Sequence, residues 1–133
     1  MKTRKAISLL IAAVLAAGLL AGCGPDNPIN DYFKDISIND GSAQLTALQS
    51  VNVISFSAFA NGVEYVATGG EIEGKHELSN GTQISGAGTY NGSIPNVVLG
   101  QGAKVTFNFD TGGNKPERIC VYLENGEVLE KKS

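Results

Sequence analysis

The chain has no tryptophan, a single histidine and only two cysteines in 133 residues. Each scarcity excludes something. A zinc site takes three or four converging His, Cys, Asp or Glu ligands, and His76, in EGKHE, has only Glu73 and Glu77 close in sequence. An exposed loop or strand position is therefore expected for it. Without tryptophan, a flat sugar-binding platform would rest on Tyr90 and Phe59, because Tyr65 and Tyr122 each have an apolar cross-strand neighbour. Basic residues are few, ten against thirteen acidic ones, and three of the ten, Lys2, Arg4 and Lys5, stand at the very start.

Those three precede an apolar run from Ala6 to Gly22, with no acid before Asp26. A positive front, an apolar middle and small residues at Ala21 and Gly22 have the form of a secretory signal. The run is short for a spanning helix, which needs roughly 20 residues, and it is rich in alanine. Cleavage after Gly22 would leave 111 residues with seven Lys and Arg against thirteen Asp and Glu, a formal balance of −6. That acidity argues against a nucleic-acid partner and against a polybasic grip on anionic lipid.

Leu20, Ala21, Gly22 and Cys23 resemble, position for position, the lipobox of bacterial lipoproteins. The resemblance implies a diacylglyceryl group on the Cys23 sulfur, cleavage between Gly22 and Cys23, and acylation of the new amino terminus. Each buried methylene contributes about 0.8 kcal/mol, so two or three acyl chains hold durably where one does not. The implied location is the cell membrane or outer membrane, lipid-anchored and facing the extracytoplasmic side. Gly24 stands where an aspartate would signal inner-membrane retention in some Gram-negative bacteria. With Cys23 a thioether, Cys120 has no disulfide partner, and its place in RICVYL reads as a small buried hydrophobe.

The expected organisation is a signal peptide over 1–22, a lipidated cysteine and tether over 23–33, and a β-sandwich domain over 34–133. The tether reading rests on GPDNPINDYF, whose two prolines and several Asn and Asp precede any regular pattern. Beyond it the apolar period is two. Asn-Gly, the pair best suited to a type I′ turn, occurs at 61–62, 80–81, 91–92 and 125–126. A two-residue turn at Asn61-Gly62 pairs Ala60 with Val63, Ala58 with Tyr65 and Phe56 with Ala67 on an apolar face. The other face pairs Phe59 with Glu64, Ser57 with Val66 and Ser55 with Thr68. Val105, Phe107 and Phe109 alternate inward against Thr106, Asn108 and Asp110. A turn at Asn125-Gly126 sets Leu123 against Val128, Tyr122 against Leu129 and Glu124 against Glu127, with Lys131 and Lys132 protecting an edge strand. Further strands are expected near 35–39, 43–48, 71–78, 82–90 and 94–99. This is an all-β chain forming a small antiparallel β-sandwich, immunoglobulin-like in layout.

GVEYVATGG, VVLGQGAKVTFNF and KPERICVYLENGEV together resemble the ending of small envelope lipoproteins with an Ig-like sandwich, found in Gram-positive bacteria. The shared element is a Pro-x-x-Ile-x-Val strand, here Pro116 to Val121, followed by a glycine-containing hairpin. Such proteins are mostly of unassigned function.

Candidate chemistry is sparse. Asp110-Thr111-Gly112 after an apolar strand resembles the active-site triplet of aspartic proteases, which need two carboxylates sharing a proton. One triplet is present, and a strand ending in a turn explains it as well. Asp26, Asp31, Asp35, Asn39 and Asp40 form a loose acidic group without a twelve-residue calcium loop. Asn80-Gly81-Thr82 and Asn91-Gly92-Ser93 fit a glycosylation pattern that turn chemistry also explains. Gly100-Gln101-Gly102 is too little for a phosphate loop, and no Gly-x-Ser-x-Gly elbow exists. No metal and no cofactor is expected. The expected role is a lipid-anchored, non-enzymatic binding or structural module of the cell envelope with an envelope protein as partner. The alternatives are a calcium- or carbohydrate-binding surface module, or a hydrolase using Asp110.

Overall fold

Asn61 and Gly62 both take positive φ, +53° and +77°, as a type I′ turn demands. The flanking strands pair Ala60 with Val63, Phe59 with Glu64, Ala58 with Tyr65 and Ser57 with Val66, in the expected register. This hairpin seeds one layer of a two-layer antiparallel sandwich. The computed structural model describes residues 28–94 and 96–133. The expected signal segment, Cys23 and the first part of the tether lie outside them.

A single helical turn, α1 (Ile29–Tyr32), leads into twelve strands: β1 (Phe33–Ile38), β2 (Ser42–Ala47), β3 (Val51–Ala60), β4 (Val63–Val66), β5 (Gly69–Glu73), β6 (His76–Glu77), β7 (Gln83–Ile84), β8 (Ala87–Asn91), β9 (Val97–Leu99), β10 (Lys104–Asn108), β11 (Arg118–Leu123) and β12 (Val128–Lys132). The first sheet runs β12-β11-β3-β9-β6-β7, with β4 also paired to β3; the second runs β1-β2-β10-β5-β8. Every pairing is antiparallel. The chain is therefore the expected all-β sandwich.

Inward side chains from both sheets form one core. Phe56 of β3 stacks on Phe107 of β10 with centroids 5.1 Å apart, joining the layers, and Phe109 tilts against Phe107 at 5.9 Å. Val105, Phe107 and Phe109 are buried while Asn108 and Asp110 are exposed, as the alternation requires. Gly70 of β5 has no room for a side chain: a Cβ there would lie 2.2 Å from the Thr106 carbonyl oxygen and 3.1 Å from the Ile94 side chain. Its bareness admits Ile94 to the core.

Four expectations need correction. Ile29 and Phe33, placed in the tether, are buried at 3% and 1% exposure and belong to the packed body. Apolar side chains beside a large apolar surface gain more from burial than an extended spacer gains from solvation. Ser55 does not pair with Thr68, because the chain has by then crossed to the second sheet, where the Thr68 N–H donates to the Asn108 carbonyl. The last hairpin is shifted by one residue: Tyr122 opposes Val128 and Val121 opposes Leu129. In that turn Gly126 alone takes positive φ, the Gly126 N–H donates to the Leu123 carbonyl, and the Leu123 N–H donates to the Glu127 carbonyl. This is the three-residue loop with a glycine bulge, which removes the Glu124–Glu127 clash and turns Leu129 inward. Finally, Asn91-Gly92 makes no hairpin; Asn91 ends β8 and the next strand, β9, belongs to the other sheet.

Candidate functional site

The hairpin around Asn80-Gly81 builds a shallow concave feature among the described residues. Gly81 takes φ +89°, its N–H donates to the Leu78 carbonyl, and the Leu78 N–H donates to the Thr82 carbonyl. The Thr82 N–H is held by the Asn80 Oδ1 at 3.0 Å. The register that follows sets Glu77 against Gln83 and His76 against Ile84, with β9 on the far side placing Val98 beside Glu77 and Leu99 beside His76. The Gly100 N–H donates to the Lys75 carbonyl, extending that seam by one row. The result is a shallow, open groove of about 360 Å³ lined by Lys75, Glu77, Gln83, Ser85, Val98 and Gly100, with His76 and Ile84 completing it.

His76 is the fixed point of this groove. It is 4% exposed, against the expectation of an open loop or strand position. The Gly74 carbonyl lies 2.7 Å from Nδ1 and can only accept, so Nδ1 carries the proton. Nε2 then accepts from the Tyr90 hydroxyl at 2.5 Å, and the two rings meet edge to face at 5.7 Å. Tyr90 belongs to β8 of the second sheet, so the pair ties the two layers together beside the groove. Burial raises the Tyr90 phenol above the ordinary tyrosine range. Gly88 makes room for this: a Cβ there would sit 2.2 Å from the Tyr90 hydroxyl.

A second polar arrangement covers the outer face of β3, β4 and β11. The ladders set Val66, Ser57 and Cys120 in one row and Glu64, Phe59 and Arg118 in the next. The Tyr122 hydroxyl donates to the Glu64 carboxylate two strands away. The Arg118 guanidinium lies 4.0 Å above the Phe59 ring and pairs with Glu130 at 2.5 Å. Beneath this cover Ser57 is wholly buried and Cys120 is 3% exposed, although both face outward from the sheet. Burial, and then the hydrogen bond to Glu64, push the Tyr122 phenol far above the ordinary tyrosine range.

Among the described residues, those singled out in the sequence do not converge; Cys23 and Asp26 lie outside them. Asp110 is exposed beyond the end of β10, where its Oδ1 accepts the Gly112 N–H at 3.0 Å, and Thr111 is buried with its hydroxyl donating to the Asn114 carbonyl. Cys120 lies on the outer face of β11, and His76 is on β6 near the other end of the sandwich. Tyr90 and Phe59, the two aromatics expected to be free for a sugar, sit on different sheets, one bound to His76 and the other covered by Arg118. Asp31 lies in α1 and Asp35 in β1, whereas Asn39 and Asp40 occupy the turn at the other end of β1. Among the described residues no group of His, Cys, Asp or Glu is arranged to hold a metal ion. The groove itself escaped the sequence reading. Its signal was the register at Asn80-Gly81, which sets the polar Lys75-His76-Glu77 stretch against Gln83 to Ser85.

No family model matches this chain, and no curated protein or solved structure matches it either. Among the described residues no helix is long and apolar enough to cross a membrane.

Proposed function

We propose that this chain is a lipid-anchored protein of the bacterial cell envelope, held by acyl chains on Cys23, whose β-sandwich acts as a non-enzymatic binding module. The observation that carries the reading is the position of the folded body relative to the lipobox. Among the described residues the first buried side chain is Ile29, six residues beyond Cys23, so a spacer between them is shorter than ten residues and reaches at most about 20 Å at full extension. Such a leash sets the α1 end of the sandwich against the bilayer. The β2–β3 connection and the β11–β12 hairpin share that end: the Leu48 N–H donates to the Tyr32 carbonyl, and the Tyr32 hydroxyl donates to Glu127.

A binding role draws its support from the open polar groove and from the separation of Asp110, His76 and Cys120. A hydrolase using Asp110 draws less, because that carboxylate is engaged by its own turn. The test is the intact mass of the protein made with its own leader in a bacterium and extracted in detergent. Loss of residues 1–22 and a diacylglyceryl thioether on Cys23 are expected, with Cys23→Ser blocking both. A bare Cys23 thiol, or a leader still attached, overturns the proposal.

A further inference from the structure

Lys75 and Glu77 bring opposite charges to the same groove, two residues apart on an extended segment, so their Cα atoms are about 7 Å from one another. Among the described residues neither Lys75 nor Glu77 forms an ion pair, whether with the other or with a third residue. Between and beside them the floor is low. Gly100 adds no side chain, and a Cβ there would lie 3.0 Å from the Lys75 carbonyl oxygen and 3.1 Å from the Lys75 Cβ. Val98 supplies an apolar patch next to Glu77. The opposite wall offers the Gln83 amide and the Ser85 hydroxyl, which donate and accept. On the inner side both nitrogens of His76 are hydrogen-bonded, one to Gly74 and one to Tyr90.

We propose that this groove binds a small zwitterion, with Lys75 taking the anionic group and Glu77 the ammonium; the inference rests on the binding-module reading above. A simple anion or cation would satisfy one charge and crowd the other, whereas a ligand carrying both a few bonds apart meets the two together. The lining contains no aromatic besides the edge of His76, which disfavours stacking of a sugar ring. The volume suits a ligand of amino-acid to dipeptide size. The same chemistry is presented by a free α-amino acid, a short peptide and a phosphoethanolamine head group.

The test is a titration of the detergent-solubilised full chain, followed by amide NMR shifts and calorimetry, with glycine, glycylglycine and phosphoethanolamine as probes. Saturable shifts confined to residues 75–77, 83–85 and 98–100 are expected. Lys75→Met and Glu77→Gln should each weaken binding at least fivefold, while Lys75→Arg retains it. Preference for glycine assigns a free amino acid, preference for glycylglycine a peptide and preference for phosphoethanolamine a lipid head group; each supports the site. Three outcomes overturn it: no saturable shift with any probe, shifts elsewhere, or equal binding of glycylglycine capped at both ends. A bare Cys23 leaves this titration unchanged, and an empty groove leaves the Cys23 mass unchanged, so the two proposals fail separately.

Discussion

The Tyr90 hydroxyl and the His76 Nε2 lie 2.5 Å apart, linking an edge strand of one sheet to a short strand of the other. The bond is the sole polar tie of Nε2 among the described residues, and the histidine around it is buried. Tyr90→Phe keeps the ring contact and deletes the acceptor's partner, leaving a buried nitrogen unsatisfied. A loss of about 1–3 kcal/mol in unfolding free energy is expected, read from urea denaturation at neutral pH.

Gly88 acts on the same bond from its own strand. A methyl group at residue 88 would collide with the Tyr90 hydroxyl at 2.2 Å and with the ring carbon bearing it at 2.6 Å, so Gly88→Ala displaces the phenol from His76. The substitution should destabilise the wild type by about 1–2 kcal/mol and cost little once Tyr90→Ala has removed the ring. A double-mutant cycle by chemical denaturation measures the difference; simple additivity would show that Gly88 is needed for another reason.

How far the sequence could be read depended on whether a turn had one solution. Asn61-Gly62 lies between strands whose apolar faces match under a two-residue loop, and the structure has that register. Asn125-Gly126 carries the same dipeptide, but Asn125 keeps negative φ, its Oδ1 accepts the Glu127 N–H, and the extra residue shifts the ladder. Local chemistry alone does not separate the two loops; the burial of Leu129 against the core does. Within β3 the inward set changes parity, Val51 and Val53 before Phe56 and Ala58, because a bulge leaves Ile54 exposed. Two adjacent apolar residues, Val53 and Ile54, were its trace in the sequence. His76 was illegible for another reason, since its partner lies fourteen residues away in the opposite layer.

Asp110→Asn tests the turn reading directly. The Asp110 Oδ1 accepts the Gly112 N–H, and asparagine offers the same oxygen, so stability should change by less than about 0.5 kcal/mol. Asp110→Ala removes the acceptor and should cost about 0.5–1 kcal/mol by thermal or urea unfolding. Equal losses in both variants would show that the negative charge matters rather than the oxygen.

Three tyrosines predict the alkaline behaviour. Tyr122 is raised by burial and then by its bond to Glu64, Tyr32 by its bond to Glu127 and that residue's charge, and Tyr90 by burial. The protonated phenol is the neutral form, and folding favours it, so the native values lie above the unfolded value of about 10. The associated stability is fully present below about pH 10 and is lost as pH rises through the native values. The urea midpoint should hold from pH 8 to 9.5 and fall beyond 10, less steeply in Tyr122→Phe, with phenolate absorbance of the folded protein lagging that of the unfolded chain.

Tyr122, two residues from Cys120 on the same strand face, is expected to govern access to that thiol. The thiol faces outward from the first sheet, yet it is 3% exposed, because Tyr122 reaches across β3 to Glu64 while Arg118 lies over Phe59 and pairs with Glu130. The cover is made of side chains alone, so it can open without breaking the ladder. In a Cys23→Ser background, where Cys120 is the sole thiol, a thiol reagent should react slowly with the folded protein. Tyr122→Ala should raise that rate about tenfold or more with the fold intact by circular dichroism. Tyr32→Ala, which deletes a phenol at the α1 end bonded to Glu127, should leave the rate unchanged. Equal acceleration in both variants would trace the exposure of Cys120 to general loosening rather than to the lifting of its cover.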